Sequence, residues 1–444
     1  MTESSPSKRR KTLDLLTKFK SNRENTAECV MTFNFKKERV RVLNSLKDVK
    51  KECKGILYWM FRDVRIQDNW ALLFAQKTAL KNNVPLHVCF CIMPSFLDAS
   101  IRYYKFLLKG LEKVEEECKT LNINFHLLHG EPNIGILKFV KTFNMGAVIT
   151  DFCPLKLPMS WINDLQNNLP KDVPICQVDA HNIVPCWCAS PKEEFAARTI
   201  RNKIHTKLEE FLTEFPPIVK HLYATTNKFE KNDWETALQN VKVDTSVDEI
   251  TWATPGYEHE IQEYKKLYPK SVQSFIEEAV TRRELSDNFC FYNENYDLLE
   301  GAHAWAIETL TKHREDKRKY VYSLNRLENS ETHDDLWNAC QNQMVTTGKM
   351  SGFLRMYWAK KILEWTATPE SALETAIFLN NKYSIDGCDP NGYVGCMWSI
   401  CGVHDHGWPE REIFGKIRYM NYEGCKRKFN ISEFVTKWGK EEKR

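Results

Sequence analysis

The sequence predicts an α/β domain with a doubly wound parallel sheet, followed by a second domain built only of helices. Between Gly55 and Val178, short apolar runs alternate with stretches of helical periodicity. Strands and helices that alternate at this pitch form parallel sheets covered on both faces. From Glu258 onward the apolar residues recur only at helical spacing. The 444 residues are enough for two such domains.

The first domain has five predicted strands, each an apolar run bounded by turn residues: Ile56–Phe61, Leu86–Met93, Asn124–Leu128, Ala147–Phe152 and Pro174–Val178. The helices predicted between them are Val64–Lys81, Ile101–Leu121, Ile134–Phe143 and Trp161–Asn168. Such sheets bind ligands beyond the carboxyl ends of their strands, where the strand order reverses. The chain contains neither G-x-G-x-x-G nor G-x-x-x-x-G-K-[ST], so a dinucleotide or triphosphate site of those kinds is not predicted.

The composition changes after Pro185. A helix is predicted over Lys192–Glu214, residues 219–250 are polar and weakly periodic, and the later helices are Glu260–Leu267, Ser271–Asp287, Ala302–Arg314, Asp334–Val345, Gly352–Trp365, Pro369–Asn380 and Glu410–Ile417. We therefore predict a disordered basic tail over 1–25, an α/β domain over 26–185, a connection over 186–257 and a helical domain over 258–444.

The charge is modest overall, at +4, but it is locally concentrated. Lys8-Arg9-Arg10-Lys11 and Lys426-Arg427-Lys428 are basic clusters of the kind that meet phosphates or import receptors. A solvated flexible tail explains the first cluster equally well. No run of 18 apolar residues and no signal-peptide core is present, so we predict no membrane span and a nuclear or cytoplasmic location.

Fifteen cysteines in a chain without a secretion signal favour reduced thiols over a disulfide framework. The pairs Cys89/Cys91 and Cys186/Cys188, with His404 and His406, could in principle offer metal ligands. A structural zinc site needs four ligands at workable spacing, and no C-x-x-C or H-x-x-x-H run appears. No metal site is predicted.

Tryptophans are concentrated in the helical domain. Trp358 and Trp365 share one face of the predicted helix Gly352–Trp365, Trp337 lies on the preceding helix, and Trp398 follows in a glycine-rich region interpreted as a turn. Large aromatic residues commonly fill helical cores. Closely spaced indoles can also relay electrons to a buried redox cofactor. Spacing alone does not decide between the two interpretations.

Longer motifs carry a resemblance to a known family. They include His333-Asp-Asp-Leu-Trp-Asn-Ala339, Gly352-Phe-Leu-Arg-Met-Tyr-Trp358, Asp386-Gly-Cys-Asp-Pro-Asn-Gly-Tyr393, Gly402-Val-His-Asp-His-Gly-Trp408 and Phe414-Gly-Lys-Ile-Arg418. Tyr58-Trp-Met-Phe-Arg-Asp63, Asp151-Phe-Cys-Pro154 and Gln177-Val-Asp-Ala-His-Asn182 extend it into the first domain. The chain resembles the class II cyclobutane pyrimidine dimer photolyases of the photolyase/cryptochrome family. The resemblance implies a monomeric FAD enzyme that repairs pyrimidine dimers in DNA with light, and whose first domain can hold a second, antenna chromophore.

The resemblance also implies roles for residues around the cofactor. Trp358, Trp337, Trp365 and Tyr322 correspond to the aromatic residues that photoreduce the flavin, and Asn380 to the polar side chain beside its reactive nitrogen. Arg355 and Asp386 match an ion pair beside the isoalloxazine ring. Arg282 is expected at a phosphate, and Asp389 and Asp405 in the cofactor pocket. For Arg355 and Asp386, a purely structural ion pair is the alternative.

A second group is expected to meet the DNA lesion, which must leave the base stack to reach the flavin. Glu278 matches the acid that hydrogen-bonds the dimer, Met356 and Trp398 match residues that pack on the flipped bases, and Lys416 and Arg418 match residues near the DNA phosphates. The alternatives are a solvated helix residue for Glu278, core packing for Met356 and solvated surface for Lys416 and Arg418.

The chain departs from the family pattern in one segment. Class II photolyases carry a run of the form Leu-Ser-Pro-x-x-His-Phe-Gly that cradles the FAD phosphates. In this chain, the sequence that resembles the family before that loop ends near Glu258. The sequence that resembles the family after the loop begins at Glu260, so the loop itself is absent. This predicts weaker FAD binding and leaves two alternatives to a repair enzyme: an FAD-poor, inactive truncated isoform, or a light-sensing flavoprotein without repair activity.

Overall fold

A computed structural model of the chain describes residues 27–255 and 274–439. The first domain holds a six-stranded sheet in the order β1-β6-β5-β2-β3-β4. Its strands are β1 (Val40–Val42), β2 (Gly55–Trp59), β3 (Leu86–Ile92), β4 (Asn124–His129), β5 (Met145–Asp151) and β6 (Ile175–Val178). All neighbouring strands are parallel except β1 and β6. The chain winds outward from β2 in both directions, so the predicted doubly wound α/β domain is confirmed.

Strand β1 was not predicted, because three residues are too few for a periodic signal. It pairs antiparallel with β6 at the sheet edge, with Val40 opposite Val178. The side chain of Arg39, just before it, is buried and donates to the carbonyls of Asn182 at 3.0 Å and Phe211 at 3.0 Å. A buried guanidinium thereby ties the edge strand to the connection that follows the sheet.

The helices of this domain are α1 (Trp70–Lys81), α2 (Ile101–Thr120), α3 (Pro132–Thr142) and α4 (Lys156–Asn168). The predicted helix Val64–Lys81 is wrong over Val64–Asn69. The side chain of Asn69 accepts hydrogen bonds from the backbone nitrogens of Ala71 and Leu72, so the helix begins after this cap.

The connection between the domains contains four short helices: α5 (Cys186–Ala189), α6 (Ala197–His205), α7 (Leu208–Phe211) and α8 (Trp234–Gln239). The single helix predicted over Lys192–Glu214 is therefore wrong. The backbone nitrogen of Glu194 donates to Oδ1 of Asn288 at 2.7 Å, and Ala196 is fully extended. A tertiary hydrogen bond overrides the local helical pattern there.

The second domain is helical throughout the described residues, with α9 (Arg283–Tyr292), α10 (Ala304–Lys312), α11 (Leu324–Glu328), α12 (Asp335–Thr347), α13 (Gly352–Trp365), α14 (Pro369–Tyr383), α15 (Pro390–Cys401), α16 (Tyr422–Lys426) and α17 (Ile431–Trp438). A π-helical segment, Glu277–Arg282, leads into α9. The predicted helix Glu260–Leu267, the start of Ser271–Asp287, the Glu258/Glu260 junction and the Lys8–Lys11 cluster lie outside the described residues.

Two predictions in this domain are wrong. Glu410–Ile417 forms no helix; it is a loop with a single bridge between Arg411 and Gly415. Trp398 lies on α15, not in a turn. That helix begins with the side chain of Asp389 accepting from the backbone nitrogen of Asn391, with Pro390 in its first turn.

A buried ion pair joins the two domains. The guanidinium of Arg62, after β2, contacts both carboxylate oxygens of Asp287 on α9 at 2.8 Å each. Burial raises the pKa of Asp287, but the charge and hydrogen bonds of Arg62, together with His181 and Asn182, hold that pKa below its ordinary value. The pair fixes the first domain against the helix that borders the cavity described next.

Across the two described ranges, no helix is long and apolar enough to cross a membrane. Within the same residues, no group of three or more histidine, cysteine, aspartate or glutamate side chains is arranged to hold a metal ion.

Candidate functional site

A cavity of about 540 Å³, hereafter the main cavity, opens between the π-helical segment, α13, α14 and α15. The residues predicted from the resemblance that line it are Glu278, Arg282, Arg355, Met356, Trp358, Asn380 and Trp398. They come from four separate elements. The π-helical segment contributes Glu278 and Arg282, and such segments are frequent at functional sites. The fold therefore assembles these distant positions into one site.

Asn380 presents an unpaired amide to this cavity. The residue is buried, and its Nδ2 has no hydrogen-bond partner among the described residues. A Cβ placed on Gly392 of α15 would lie 2.6 Å from that Nδ2, so only glycine leaves the amide where it is. Because a buried unpaired donor is costly, this amide is suited to donate to a polar group of a ligand.

A continuous row of aromatic rings leads away from the main cavity. Trp358 lines the cavity and lies parallel to Trp337, with ring centroids 6.4 Å apart. Trp337 meets Trp365 at 5.8 Å, and Trp365 meets Tyr322 at 5.7 Å. All four rings are at least nine-tenths buried. Core packing and electron relay are both compatible with this burial, but the row begins at a cavity wall and ends near the surface.

Hydrogen bonds fix the orientation of the inner two indoles. Nε1 of Trp358 donates to Oε1 of Gln341 at 2.9 Å, and Nε1 of Trp337 donates to the carbonyl of Trp358 at 3.0 Å. Buried indoles usually satisfy their N–H in this way. The rings are thus held in fixed positions relative to the cavity.

Arg355 and Asp386 form the predicted ion pair, with Nη2 of Arg355 2.8 Å and 3.0 Å from the two carboxylate oxygens. Arg355 lines the main cavity, whereas Asp386 lines a second cavity of about 350 Å³. The second cavity lies beyond the carboxyl ends of β2, β3 and β5, and the strand order reverses between β2 and β5. That is where a doubly wound sheet is expected to bind a ligand.

Comparisons with known proteins identify the family of the chain. The DNA photolyase family profile matches residues 56–220. The deoxyribodipyrimidine photo-lyase of Potorous tridactylus is 52% identical over 465 residues, which cover 94% of this chain and 87% of that protein. The chain belongs to the DNA photolyase family. The deoxyribodipyrimidine photo-lyase of Arabidopsis thaliana is 42% identical and covers 90% of this chain and 92% of its own length.

Solved structures of the same fold include a cryptochrome from Synechocystis, with a TM-score of 0.66 at 12% identity, covering 88% of this chain and 89% of that chain. An archaeal photolyase from Sulfolobus tokodaii, described with two FAD molecules, has a TM-score of 0.61 at 13% identity and covers 87% of this chain and 90% of that chain. At these identities the likeness concerns the fold, which is the predicted photolyase arrangement of an α/β and a helical domain.

The match to the Potorous relative runs over more residues than the 444 of this chain. That relative therefore carries residues that this chain lacks. Whether they include the phosphate-binding run expected between Glu258 and Glu260 stays a prediction.

The main cavity offers both polar groups and an aromatic surface, and a flavin, the cofactor of this family, needs both. Asn380 offers the unpaired amide, Arg355 offers a guanidinium, and Trp358 offers an aromatic wall. A Cβ on Gly395 would meet no atom within 4 Å, so at this position the backbone of α15 borders the main cavity without a side chain in between. Close approach of backbone to a ligand is a common use of glycine. The residues present therefore fit the cofactor of the family.

Trp398 and Arg282 lie together at the cavity wall. The guanidinium carbon of Arg282 is 4.8 Å from the centre of the Trp398 ring, and its Nε is 3.4 Å from Oε1 of Glu277. One face of the indole is thus covered by a cation. Met356 is half-buried and Glu278 is exposed at the same wall. The lesion roles of these residues stay predictions.

Three predicted aspartates do not line the main cavity, as far as the described residues show. Asp386 is the exposed partner of Arg355. Asp389 caps α15, lies 3.5 Å from Arg62 and lines the second cavity. Oδ1 of Asp405 accepts from the backbone of His406 at 2.9 Å. Their predicted contact with a cofactor remains untested, and the geometry gives Asp389 a capping role.

Lys416 lies on the loop over Glu410–Ile417 that was predicted to be helical, and Arg418 follows that loop directly. The guanidinium carbon of Arg418 is 5.0 Å from the centre of the Trp408 ring, and the carbonyl of Lys416 accepts from the backbone nitrogen of Trp408 at 2.8 Å. Lys416 is exposed. The loop thus presents a cation and an aromatic surface at the side of the cavity where His404 lies.

His404 is a cavity residue that sequence reasoning missed as such. It has a positive φ of 62°, its Nε2 has no partner among the described residues, and its ring lines the main cavity. Burial lowers the pKa of His404 to about 3, so the ring is neutral. Strained backbone of this kind is concentrated at functional sites. In the sequence His404 could be noticed only as one half of the His-Asp-His run.

Proposed function

We propose that this chain repairs cyclobutane pyrimidine dimers in DNA with light, using reduced FAD bound in the main cavity. One observation carries the proposal: a single cavity is bordered on one side by the aromatic row from Trp358 to Tyr322 and on another by Trp398 and Met356. A cofactor in the main cavity would therefore contact both the electron relay and an apolar surface on which bases can pack. Membership of the photolyase family supports the same reaction.

The chain holds the cofactor through three kinds of group. Asn380 would donate its free amide to the flavin, Arg355 with Asp386 would supply a fixed local charge, and Arg282 would meet a phosphate. When bound, reduced FAD supplies the excited electron that splits the dimer and regains it afterwards. His404, neutral and unpaired, adds a further hydrogen-bonding group at the same wall.

The aromatic row serves to keep the cofactor reduced. An electron enters at Tyr322 or Trp365, passes to Trp337 and then to Trp358, which borders the cavity. The short centroid distances, all under 6.5 Å, allow each step between neighbouring rings. The bonds from Trp358 to Gln341 and from Trp337 to the Trp358 carbonyl hold that spacing.

The lesion enters the same cavity from the exposed side. Glu278 hydrogen-bonds the carbonyl edge of the dimer, while Trp398 and Met356 pack against its flipped bases, where aromatic stacking contributes roughly 1–3 kcal/mol per base. Lys416 and Arg418 contact phosphates and so position the duplex without reading its sequence. The partner is therefore dimer-containing DNA, with the chain acting as a monomer.

The second cavity is the proposed place for an antenna chromophore. It is walled by Phe61, Phe90, Phe96, Tyr103, Tyr104 and Trp161. Flat aromatic ligands suit such a lining. The ion pair of Arg355 and Asp386 joins a residue of the main cavity to a residue of the second cavity.

For location, we propose import into the nucleus through Lys8-Arg9-Arg10-Lys11, because the DNA substrate of a nucleated cell lies there. Changing these four residues to alanine in a fluorescent fusion would keep the protein out of the nucleus. An unchanged distribution would contradict the proposal.

The function is tested on purified chain supplemented with FAD and reduced chemically. Blue light should convert dimer-containing oligonucleotide to intact thymines, and an identical sample in the dark should not. A flavin spectrum without light-dependent repair would favour the light-sensing alternative, and absence of bound flavin after supplementation would favour the inactive isoform.

A further inference from the structure

The hydroxyl of Tyr322, at the outer end of the aromatic row, has two partners in one residue. It accepts a hydrogen bond from the backbone nitrogen of His333 at 3.1 Å, and it lies 2.8 Å from Nδ1 of the His333 ring. Because the backbone N–H already occupies a lone pair, the phenol proton is free to point at Nδ1. The backbone nitrogen of Tyr322 also donates to the carbonyl of Trp365 at 2.9 Å, so the tyrosine is fixed against the relay.

The surroundings of Tyr322 oppose a positive charge on its ring. The guanidinium carbon of Arg326 lies 4.8 Å from the ring centre. An oxidised phenol is a strong acid, and a cation over its face destabilises the protonated radical further. Oxidation of Tyr322 is therefore favourable only if the phenol proton leaves at the same time, and Nδ1 of His333 is the base within reach.

The charges that face His333 come from three elements. Asp334 precedes α12, Lys361 and Glu364 lie on α13, and Lys319 lies in the segment before Tyr320. Burial is the main cause that lowers the pKa of His333; Lys361 and Lys319 act in the same direction, and Asp334 and Glu364 act against it. The ring is consequently neutral at physiological pH, and a neutral ring can accept at Nδ1 while carrying its proton on Nε2.

A proton accepted by His333 can pass on to solvent. His333 lines an open cavity of about 570 Å³ together with Lys317, Lys319, Glu364 and Arg411. The ring stacks on Tyr320 with centroids 3.7 Å apart, and it meets Trp365 edge-on at 5.0 Å. The imidazole thus touches the relay on one side and solvent on the other.

We propose that His333 is the proton acceptor for Tyr322 in the last step of the relay. An electron passes from Tyr322 to the oxidised Trp365 or Trp337, and the phenol proton passes to Nδ1 of His333. The products are a neutral tyrosyl radical, an imidazolium and a restored indole, so charge and atoms balance. Loss of the proton to solvent then makes the return of the electron slow. This inference rests on the relay proposed above.

The test is flash photolysis of the full chain with oxidised FAD bound, at several pH values, reading tryptophanyl and neutral tyrosyl radicals by their distinct absorption bands. In wild type a tyrosyl signal should replace the tryptophanyl signal, more slowly in D₂O. His333→Gln should lower the tyrosyl yield by about tenfold or more. Tyr322→Phe should abolish it, whereas Tyr320→Phe, which keeps the ring stacked on His333, should leave it unchanged.

Two further readouts exclude a structural role. Free imidazole added to His333→Ala can enter through the open cavity and should restore the tyrosyl signal. In wild type the yield should fall as the pH drops through the lowered pKa of His333, because an imidazolium cannot accept the proton. The Gln variant should lack this dependence.

The possible outcomes distinguish the hypothesis of an aromatic relay from the hypothesis that His333 accepts the proton. Tryptophanyl signals that form in wild type and vanish in Trp358→Phe would support the relay. If His333→Gln then retained the wild-type tyrosyl yield, or if wild type formed no tyrosyl radical, His333 would not be the acceptor. Absence of every radical in wild type would overturn the relay and this inference together.

Discussion

The indole of Trp337 lies parallel to that of Trp358, with 5° between the planes, and its Nε1 donates to the Trp358 carbonyl at 3.0 Å. One contact thus provides both core packing and ring overlap. Replacing Trp337 or Trp358 with Phe keeps a buried ring but removes the easily oxidised indole. We expect photoreduction of bound oxidised flavin, measured by absorbance with an external reductant, to fall to a small fraction of wild type. Repair by protein reduced with dithionite should persist; equal photoreduction would mean that these indoles only pack.

Gly392 allows the Asn380 amide to face the main cavity. In Gly392→Ala the new Cβ would lie 2.6 Å from Nδ2, so the amide must rotate away. Losing one hydrogen bond to the cofactor should weaken FAD binding roughly tenfold, measured by fluorescence titration. Gly135→Ala, within α3, is the control, because its Cβ would make only ordinary contacts at 3.8 Å and beyond. Unchanged affinity in Gly392→Ala would remove Asn380 from the cofactor site.

Asp287 neutralises Arg62 at the domain interface. Asp287→Ala would remove the carboxylate that contacts the buried guanidinium of Arg62 at 2.8 Å and leave only the more distant Asp389, at 3.5 Å, so the free energy of unfolding should fall by about 3–5 kcal/mol in urea titrations. Glu249→Ala removes an exposed ion pair with Lys109 and should cost less than about 1 kcal/mol. A similar small loss in both variants would show that the interdomain pair is not structurally important.

Lys360 is buried, and its Nζ donates to the carbonyl of Ser399 near the end of α15 at 2.7 Å. Burial lowers the pKa of Lys360 to about 7. Above that value the unfolded chain binds the extra proton and the folded chain does not, so the contribution of Lys360 to stability should increase with pH from about 7 towards 10. The increase relative to Lys360→Met should approach about 1.4 kcal/mol per pH unit at most. Parallel pH profiles for both proteins would contradict the assignment.

Trp398 distinguishes a repair enzyme from a light sensor. If its exposed face stacks on a flipped dimer, Trp398→Ala should lose about 1–3 kcal/mol of binding to dimer-containing DNA and much less for undamaged duplex. Arg418→Ala should weaken both and flatten the salt dependence, because it removes a phosphate contact. Filter-binding or anisotropy titrations at two salt concentrations measure this. No preference of wild type for the dimer would overturn the lesion cavity.

The five central strands could be predicted from sequence because each is a buried apolar run, and such runs depend little on distant contacts. Helix α13 was predicted over its observed range, since the spacing of its buried residues holds from Leu354 to Trp365. Strand β1 and the π-helical segment could not be predicted, because neither is long enough to show a periodic pattern of apolar residues. The roles of the site residues came from the resemblance to the family, and the cavity they share is visible only in three dimensions.

The loop over Glu410–Ile417 shows why a local pattern can mislead. Ile413, Phe414 and Ile417 are buried at helix-like spacing, but Ile413 has a φ of 67° and Gly415 a φ of 53°. The backbone nitrogens of Ile413 and Lys416 donate to Asp316 and Thr309 instead of to a helical turn. At Trp398 the error was the reverse. Gly392 and Gly395 suggested a turn, but both lie within helix α15. Gly392 leaves space for the Asn380 amide, and Gly395 borders the open space of the cavity.

The ion pair between Arg355 and Asp386 links two ligand sites through one shared bond. A molecule in the second cavity that attracts or displaces the Asp386 carboxylate changes the charge that Arg355 presents to the main cavity. By thermodynamic reciprocity, occupancy of the main cavity must then alter affinity in the second by the same factor. We therefore expect the two cavities to be energetically coupled through this pair, and replacing Asp386 with Asn should weaken that coupling.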